Sequence, residues 1–281
     1  MIVGNKKRTR LMTTSRFVTL CLFSLVMVLP FLYMVSTSFK KYTYLFESPP
    51  QFIPKEPTLQ NYVQAWTAGH FSRYFFNSLF VTSVTTVFTV VFASMAAFAF
   101  AKYVFFGKKV LFILLLMGLV VPGIVLIIPQ FIIAKHLHLI DSFAGLILFY
   151  IGMNFSLDTF LLRGFMEDIP RELDDAMKVD GASAWTRFAR LYVPLSRPAL
   201  ATVTLFSFLA SWDEFAWAIT LINSQDKRTL PIAIALFHGQ HATSWGLVFA
   251  ASLIALVPII IVFLITQKHF IEGLSTGAVK G

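Results

Sequence analysis

The chain has 281 residues, of which 57% are hydrophobic and 13% charged, with a net charge of +9. A soluble domain carries about a quarter of its residues as charges, so this composition, with a mean hydropathy of +0.74, excludes an ordinary water-soluble enzyme and points to the membrane class. The positive charges fall between apolar segments, where they act as topology signals and lipid-headgroup anchors; nucleic acid is excluded as a partner.

A spanning helix needs about 20 predominantly apolar residues. Six stretches meet that length: 17–39, 74–101, 110–134, 143–162, 199–222 and 244–266. The first follows Lys6, Lys7, Arg8 and Arg10 and is too long, without a small-residue cleavage pattern, for a removable signal core; it is expected to be an uncleaved signal-anchor. Cys21 lies within it and has no second thiol to pair with. The first loop, 40–73, holds Pro49, Pro50, Pro54 and Pro57, and its tail from Thr58 to Trp66 reads as a short interfacial helix. The third span contains Pro122, Gly123 and Pro129, breakers that a membrane tolerates only where packing or a cavity satisfies the freed backbone groups. Lys135, His136 and His138 follow as solvated loop residues rather than a metal site.

Most of the 23 Lys and Arg residues fall in the segments that share a side with the N-terminus. The positive-inside rule therefore predicts both termini in the cytoplasm. The predicted organisation is a cytoplasmic tail (1–16), a six-helix transmembrane domain (17–266) with a long cytoplasmic loop at 163–198, and a second cytoplasmic tail (267–281).

That loop carries the most unusual sequence in the chain. Pro170 suits a first helical turn, Glu172, Asp174 and Asp175 place negative charge at the positive end of a helix dipole, and Gly181 suits the left-handed residue that ends a helix. Ser183 is a good N-cap for a second helix, reaching about Tyr192, with Trp185, Phe188 and Tyr192 on one face. Pro194 and Pro198 set the entry into the fifth span. The elbow is read either as a loop packed on its own bundle or as a knob docking on a cytoplasmic partner.

The run Asp175, Ala176, Met177, Lys178, Val179, Asp180, Gly181, Ala182, followed by Phe188, Pro194 and Pro198, resembles the EAA loop of binding-protein-dependent ABC importer permeases. Asp175 stands where that family usually has Glu, and Met177 where it has Ala. Asn77-Ser78, Pro122-Gly123, Pro129 and the run 211–217 are similar to the carbohydrate branch, in particular to the shorter membrane subunit of maltose importers. The resemblance implies an all-α membrane protein with the type I ABC importer fold. It implies a heterodimer with a second homologous permease, two copies of a cytoplasmic ATP-binding subunit, and an extracytoplasmic solute-binding protein. The expected setting is a bacterial or archaeal cytoplasmic membrane. ATP and Mg would be used by the partner ATPase; no cofactor is expected on this chain, which lacks a GxxxxGK[ST] phosphate loop. Asp175 would pair with a basic residue of that ATPase, and Gly181 would permit the bend between helices.

Charged residues within spans are functional candidates. Asp158, near the inner end of the fourth span, is expected to make an interfacial or interhelical hydrogen bond in preference to a pathway role. Asp213 and Glu214 fall about 15 residues, hence roughly 22 Å, into the fifth span. Trp212 and Trp217 are read as aromatic-belt anchors or sugar-stacking rings; with Asp213, Glu214 and Asn77 they form the candidate translocation pathway. His238 and His241 sit in the segment 223–243, which could reach towards a solute-binding protein. The carboxylates leave open a different class, an ion-coupled carrier, for which internal repeats are expected and none is evident. An intramembrane enzyme would need a nucleophile–base pair or an HExxH set, and the sequence has neither.

Overall fold

The computed structural model describes residues 3–41, 51–67, 70–237 and 244–278, with side chains from 12 to 268 within those segments. Pro49, Pro50, His238, His241 and the side chains of Lys6, Lys7, Arg8 and Arg10 lie outside the described residues. The described chain is helical, with one isolated bridge between Lys40 and Pro57. It divides into two compact units, Met1–Ala68 with Leu236–Ile254, and Gly69–Ala235 with Ala255–Gly281.

In the first unit α1 (Val3–Ser38) contains Pro30, and its apolar window covers Met12–Ser38. The helix begins at Val3, so the expected tail 1–16 is helical from its third residue. The predicted interfacial helix is α2 (Gln60–Thr67). It is fastened to the end of α1 by Asn61, whose Nδ2 donates to the Ser38 and Lys40 carbonyls at 2.8 Å, and by a 2.7 Å bond between Ser38 Oγ and the Tyr62 hydroxyl. A side-chain amide here satisfies two carbonyls left unpaired where the helix ends.

The second unit is built on two long helices, α3 (Phe71–Lys102) and α6 (Phe143–Glu167), joined by α4 (Lys108–Val120) and α5 (Ile127–His136). The predicted third span is broken: its halves meet at 99°. Pro122 disfavours a helical conformation in the residue before it, and Val121 is extended at φ −82°, ψ 118°. A 3₁₀ turn, Gly123–Leu126, starts the return. Pro129 falls in the first turn of α5, where its missing N–H has no intrahelical partner to lose.

After α6 come α7 (Arg171–Val179), α8 (Ala184–Arg187), a π turn (Phe188–Tyr192) and α9 (Val193–Leu195). The chain then turns by 80° into α10 (Arg197–Trp212). The fifth span also departs from expectation. α10 stops at Trp212 and spans about 24 Å at 1.5 Å per residue. The chain resumes as α11 (Ala216–Leu221) and α12 (Leu230–Leu236). The last helix, α13 (Trp245–Ala278), contains Pro258, passes from the first unit to the second, and continues well beyond residue 266.

Two apolar clusters hold the second unit. Near the elbow, Phe98, Leu162, Met166, Phe188, Tyr192 and Val203 pack together. At the opposite end, Val81, Leu146, Tyr150, Trp217 and Leu221 do so. Asp158 is buried between α6 and α10 and accepts a hydrogen bond from Ser207, the interhelical role expected of it.

Candidate functional site

The elbow is fully described. α7 begins at Arg171, so Pro170 occupies the N-cap rather than the first turn. Its end is a Schellman motif: Gly181 N–H donates to Lys178 O at 3.0 Å and Ala182 N–H to Met177 O at 2.9 Å. Gly181 has φ +76°, the left-handed conformation the sequence anticipated. Ser183 caps α8, its Oγ accepting from Thr186 N–H at 3.1 Å. A π turn replaces the expected helical end of the second arm; the Trp185 and Phe188 rings stay in contact at 5.4 Å, but the three aromatic residues do not all face outward.

Instead the face is divided. Phe188 and Tyr192 are buried, with ring centroids 5.5 and 4.8 Å from Phe98. Trp185 is 64% exposed and Val179 87% exposed, with Leu173 also outward. The packed-loop reading applies to Phe188 and Tyr192, which attach the elbow to the bundle, while Leu173, Val179 and Trp185 form an outward-facing knob. Glu172, Asp175, Ala176, Asp180 and Gly181 are exposed; Met177, Ala182, Pro194 and Pro198 are half-buried.

What fixes the knob is a feature the sequence reading missed. Asp174 is buried, and Arg187 Nη1 donates to both of its carboxylate oxygens at 2.8 and 2.9 Å. Arg187 Nη2 donates to the Tyr103 hydroxyl at 2.9 Å, tying the elbow to the segment after α3, and Lys102 Nζ donates to Ile169 O at 3.0 Å. Burial by itself raises the Asp174 pKa, but hydrogen bonds from Lys178 and Arg187 and the guanidinium charge hold it below the usual carboxylate range. Asp175 is outside this clamp and accepts from Lys178 Nζ at 2.8 Å. The available signal was periodicity: Asp174 falls on the same side of α7 as Met177, not with Asp175.

The candidate pathway residues separate. Trp212 is interior, its Nε1 donating to Ala255 O at 3.2 Å and its ring stacked on Phe208; it is neither a belt anchor nor an open platform. Asn77 fastens α3 to the far loop through the Asp226 and Arg228 carbonyls, both at 2.9 Å. Asp213 is exposed at the end of α10. Glu214 explains the break after α10: its carboxylate accepts the Trp217 N–H at 2.7 Å, the Ala218 N–H at 3.0 Å and the Tyr150 hydroxyl at 2.7 Å. It caps α11 in the way acidic side chains satisfy first-turn N–H groups. Glu214, Gln130, Tyr150 and Trp217 line a cavity of about 640 Å³ against the 118–127 break. Trp217 is 5% exposed, and its indole N–H has no partner among the described residues.

At the same end, Asp141 gathers the loop that follows α11. It accepts from Asn223 N–H at 3.0 Å, Ser224 N–H at 2.9 Å, the Ser224 hydroxyl, and Lys227 Nζ at 3.2 Å. Burial raises its pKa, but the Ser224, Lys227 and Asn223 bonds outweigh it and bring the carboxyl to about 2. His136 and His138 lie nearby, and no set of three metal-ligating side chains converges among the described residues.

Residues 89–275 match the family model described as binding-protein-dependent transport system inner membrane component. The chain is 33% identical to the trehalose/maltose transport system permease protein MalG of Thermococcus litoralis, covering 92% of this chain and 94% of that protein. It is 35% identical to the arabinooligosaccharides transport system permease protein AraQ of Bacillus subtilis, covering 81% of each. Its fold matches a chain from the crystal structure of a bacterial ABC transporter involved in the import of the acidic polysaccharide alginate, with a TM-score of 0.80 and 24% identity over 93% of this chain and 97% of that one.

Proposed function

Since the chain belongs to the family of binding-protein-dependent transport system inner membrane components, we propose that it is one permease subunit of an ATP-driven importer carrying a di- or oligosaccharide. The observation that carries the reading is the elbow, a rigid knob presenting Leu173, Val179 and Trp185 beside a Gly181-terminated helix. In this reading the knob seats in a groove of a cytoplasmic ATPase, where ATP and Mg act. Asp175 exchanges Lys178 for a basic group of that partner, and the Asp174–Arg187–Tyr103 chain carries the displacement into α3 as a rigid-body change. The chain itself performs no catalysis.

The orientation follows from the positive-inside count, and the remaining organisation is what membership of the family implies. Both termini lie in the cytoplasm of a bacterial or archaeal host. A second homologous permease completes the membrane pair, two ATPase copies dock beneath it, and a solute-binding protein delivers cargo from outside to the face that carries Asp141 and the 223–230 loop. Within the membrane, Glu214, Gln130 and Trp217 line the path and Asp213 stands near it; Trp212 and Asn77 are structural. The transported solute is recognised by hydroxyl-rich groups against this polar patch and the aromatic walls.

Reconstitution of the complete importer in vesicles tests the reading. Uptake of the cognate sugar should require ATP inside and binding protein outside, and Trp185→Ala with Val179→Asp should abolish uptake while the chain stays folded in the membrane. Uptake that continues without an ATPase and follows an ion gradient would overturn it.

A further inference from the structure

The connection between α3 and α4 carries chemistry that, beyond the Tyr103 hydroxyl, neither the elbow nor the cavity uses. It runs Tyr103, Val104, Phe105, Phe106, Gly107, Lys108, with Gly107 at φ +77° turning the chain into α4. Val104 and Phe106 are almost wholly exposed. Beside them lies a groove of about 750 Å³ between α4 and the end of α6. Its floor is Phe105, Phe112 and Ile113, and its polar lining is Lys108, Lys109 and Arg163, with no carboxylate.

Arg163 belongs to the wall: Glu167 accepts from it at 2.8 Å and its guanidinium lies 3.7 Å over the Phe112 ring. Lys108 donates to Tyr103 O at 2.9 Å, which leaves its charge uncompensated. Lys109 is exposed and has no acidic partner among the described residues. A groove with an apolar floor and two uncompensated ammonium groups at one end is complementary to a molecule with an anionic head and an apolar chain. It sits where the apolar helix α3 ends and α4 begins; aromatic and basic side chains at the ends of spanning helices meet headgroups, and basic pockets between such helices hold anionic headgroups.

We propose that this groove is a binding site for one anionic phospholipid of the leaflet on the elbow's side. The phosphate lies between the Lys108 and Lys109 ammonium groups, and an acyl chain runs along Phe105, Phe112 and Ile113. A free phosphate would leave the aromatic floor uncovered; a helix of a partner subunit would leave the two lysines without counter-charge. Tyr103 accepts a hydrogen bond from Arg187, so the lipid-binding segment is directly attached to the coupling clamp.

Native mass spectrometry of the detergent-purified chain and of the assembled importer tests the site with phosphatidylglycerol and phosphatidylcholine as probes. Phosphatidylglycerol should be retained preferentially on both, and Lys109→Gln, an exposed position, should lower its retention about fivefold with the melting temperature unchanged. Phe112→Ser should also lower it, which free inorganic phosphate binding would not show. Equal retention of the two lipids, undiminished retention in Lys109→Gln, or displacement of the lipid by inorganic phosphate alone would each overturn the proposal. So would lipid found on the isolated chain and absent from the assembled importer, because a subunit would then fill the groove.

Discussion

Asp174 and Arg187 form a pair in which each side chain is nearly buried, with 7% and 10% exposed. Breaking such a pair leaves one charge uncompensated, at a cost of about 3–5 kcal/mol, whereas replacing both by apolar groups is often close to neutral. Asp174→Asn should therefore lower the melting temperature of the purified chain sharply. The double change Asp174→Leu with Arg187→Leu should recover most of the loss; a double-mutant cycle giving simple additivity would show that the two do not act as a unit. Gly181 makes a different kind of contribution. A Cβ built on it meets nothing within 4 Å, so Gly181→Ala introduces only backbone strain at φ +76°, about 1–2 kcal/mol for a left-handed residue. Gly181→Asn should be milder than Gly181→Ala, because Asn tolerates that conformation, and Gly181→Val harsher. Thermal melts of the three variants would show whether this order holds.

At the scale of elements, helix identities were largely readable from composition and helix continuity was not. Pro122 marked a breaker in the third apolar stretch, but a 99° bend depends on where the freed backbone can go, which is settled by α6 and the cavity rather than by local sequence. The stop at Trp212 was hidden because the run 199–222 has no Pro or Gly and no charge except Asp213 and Glu214, and Glu214 is held past the helix end by a Tyr150 hydroxyl 64 residues earlier in the chain. The start of α6 is held equally tightly. A Cβ on Gly145 would lie 2.4 Å from the Leu139 carbonyl and 2.8 Å from Leu221 Cδ2. Since the first of these is backbone and cannot rotate away, Gly145→Ala should cost about 1–3 kcal/mol as an overpacked site, read as a loss of melting temperature. Asp141, in the adjacent turn, supplies a pH test. Its folded pKa of about 2 lies below the ordinary aspartate value of 3.8, so its contribution is complete above the unfolded pKa and is lost as pH falls through that range towards 2. Its magnitude is at most about 2 kcal/mol. The melting temperature of Asp141→Asn should thus be lower than that of the parent at pH 6, with the difference narrowing towards pH 2; a constant gap would mean that the staple does not depend on charge.

For the whole molecule, the elbow was legible because its signals are local: a Gly after a charged helix, a Ser cap and two prolines at fixed spacing. Which of its side chains face outward was not, because burial is decided by a cluster around Phe98, distant in the chain, that takes in Phe188 and Tyr192 and leaves Trp185 outside. In the proposed function, that division separates folding from coupling. Phe188→Ala removes a buried ring from the cluster and should destabilise the chain itself by about 3–5 kcal/mol, measurable on the isolated subunit. Trp185→Ala removes an exposed ring, so the isolated subunit should melt within about 0.5 kcal/mol of the parent. Its deficit should emerge only on assembly, as weaker association with the ATPase, since exposed aromatic rings are the residues that dominate binding energy at an interface. If Trp185→Ala destabilised the isolated chain as much as Phe188→Ala, the elbow would be an internal packing element along its whole length and the knob would have no separate role. If it left both folding and ATPase association intact, coupling would have to pass through Val179 and Leu173 alone.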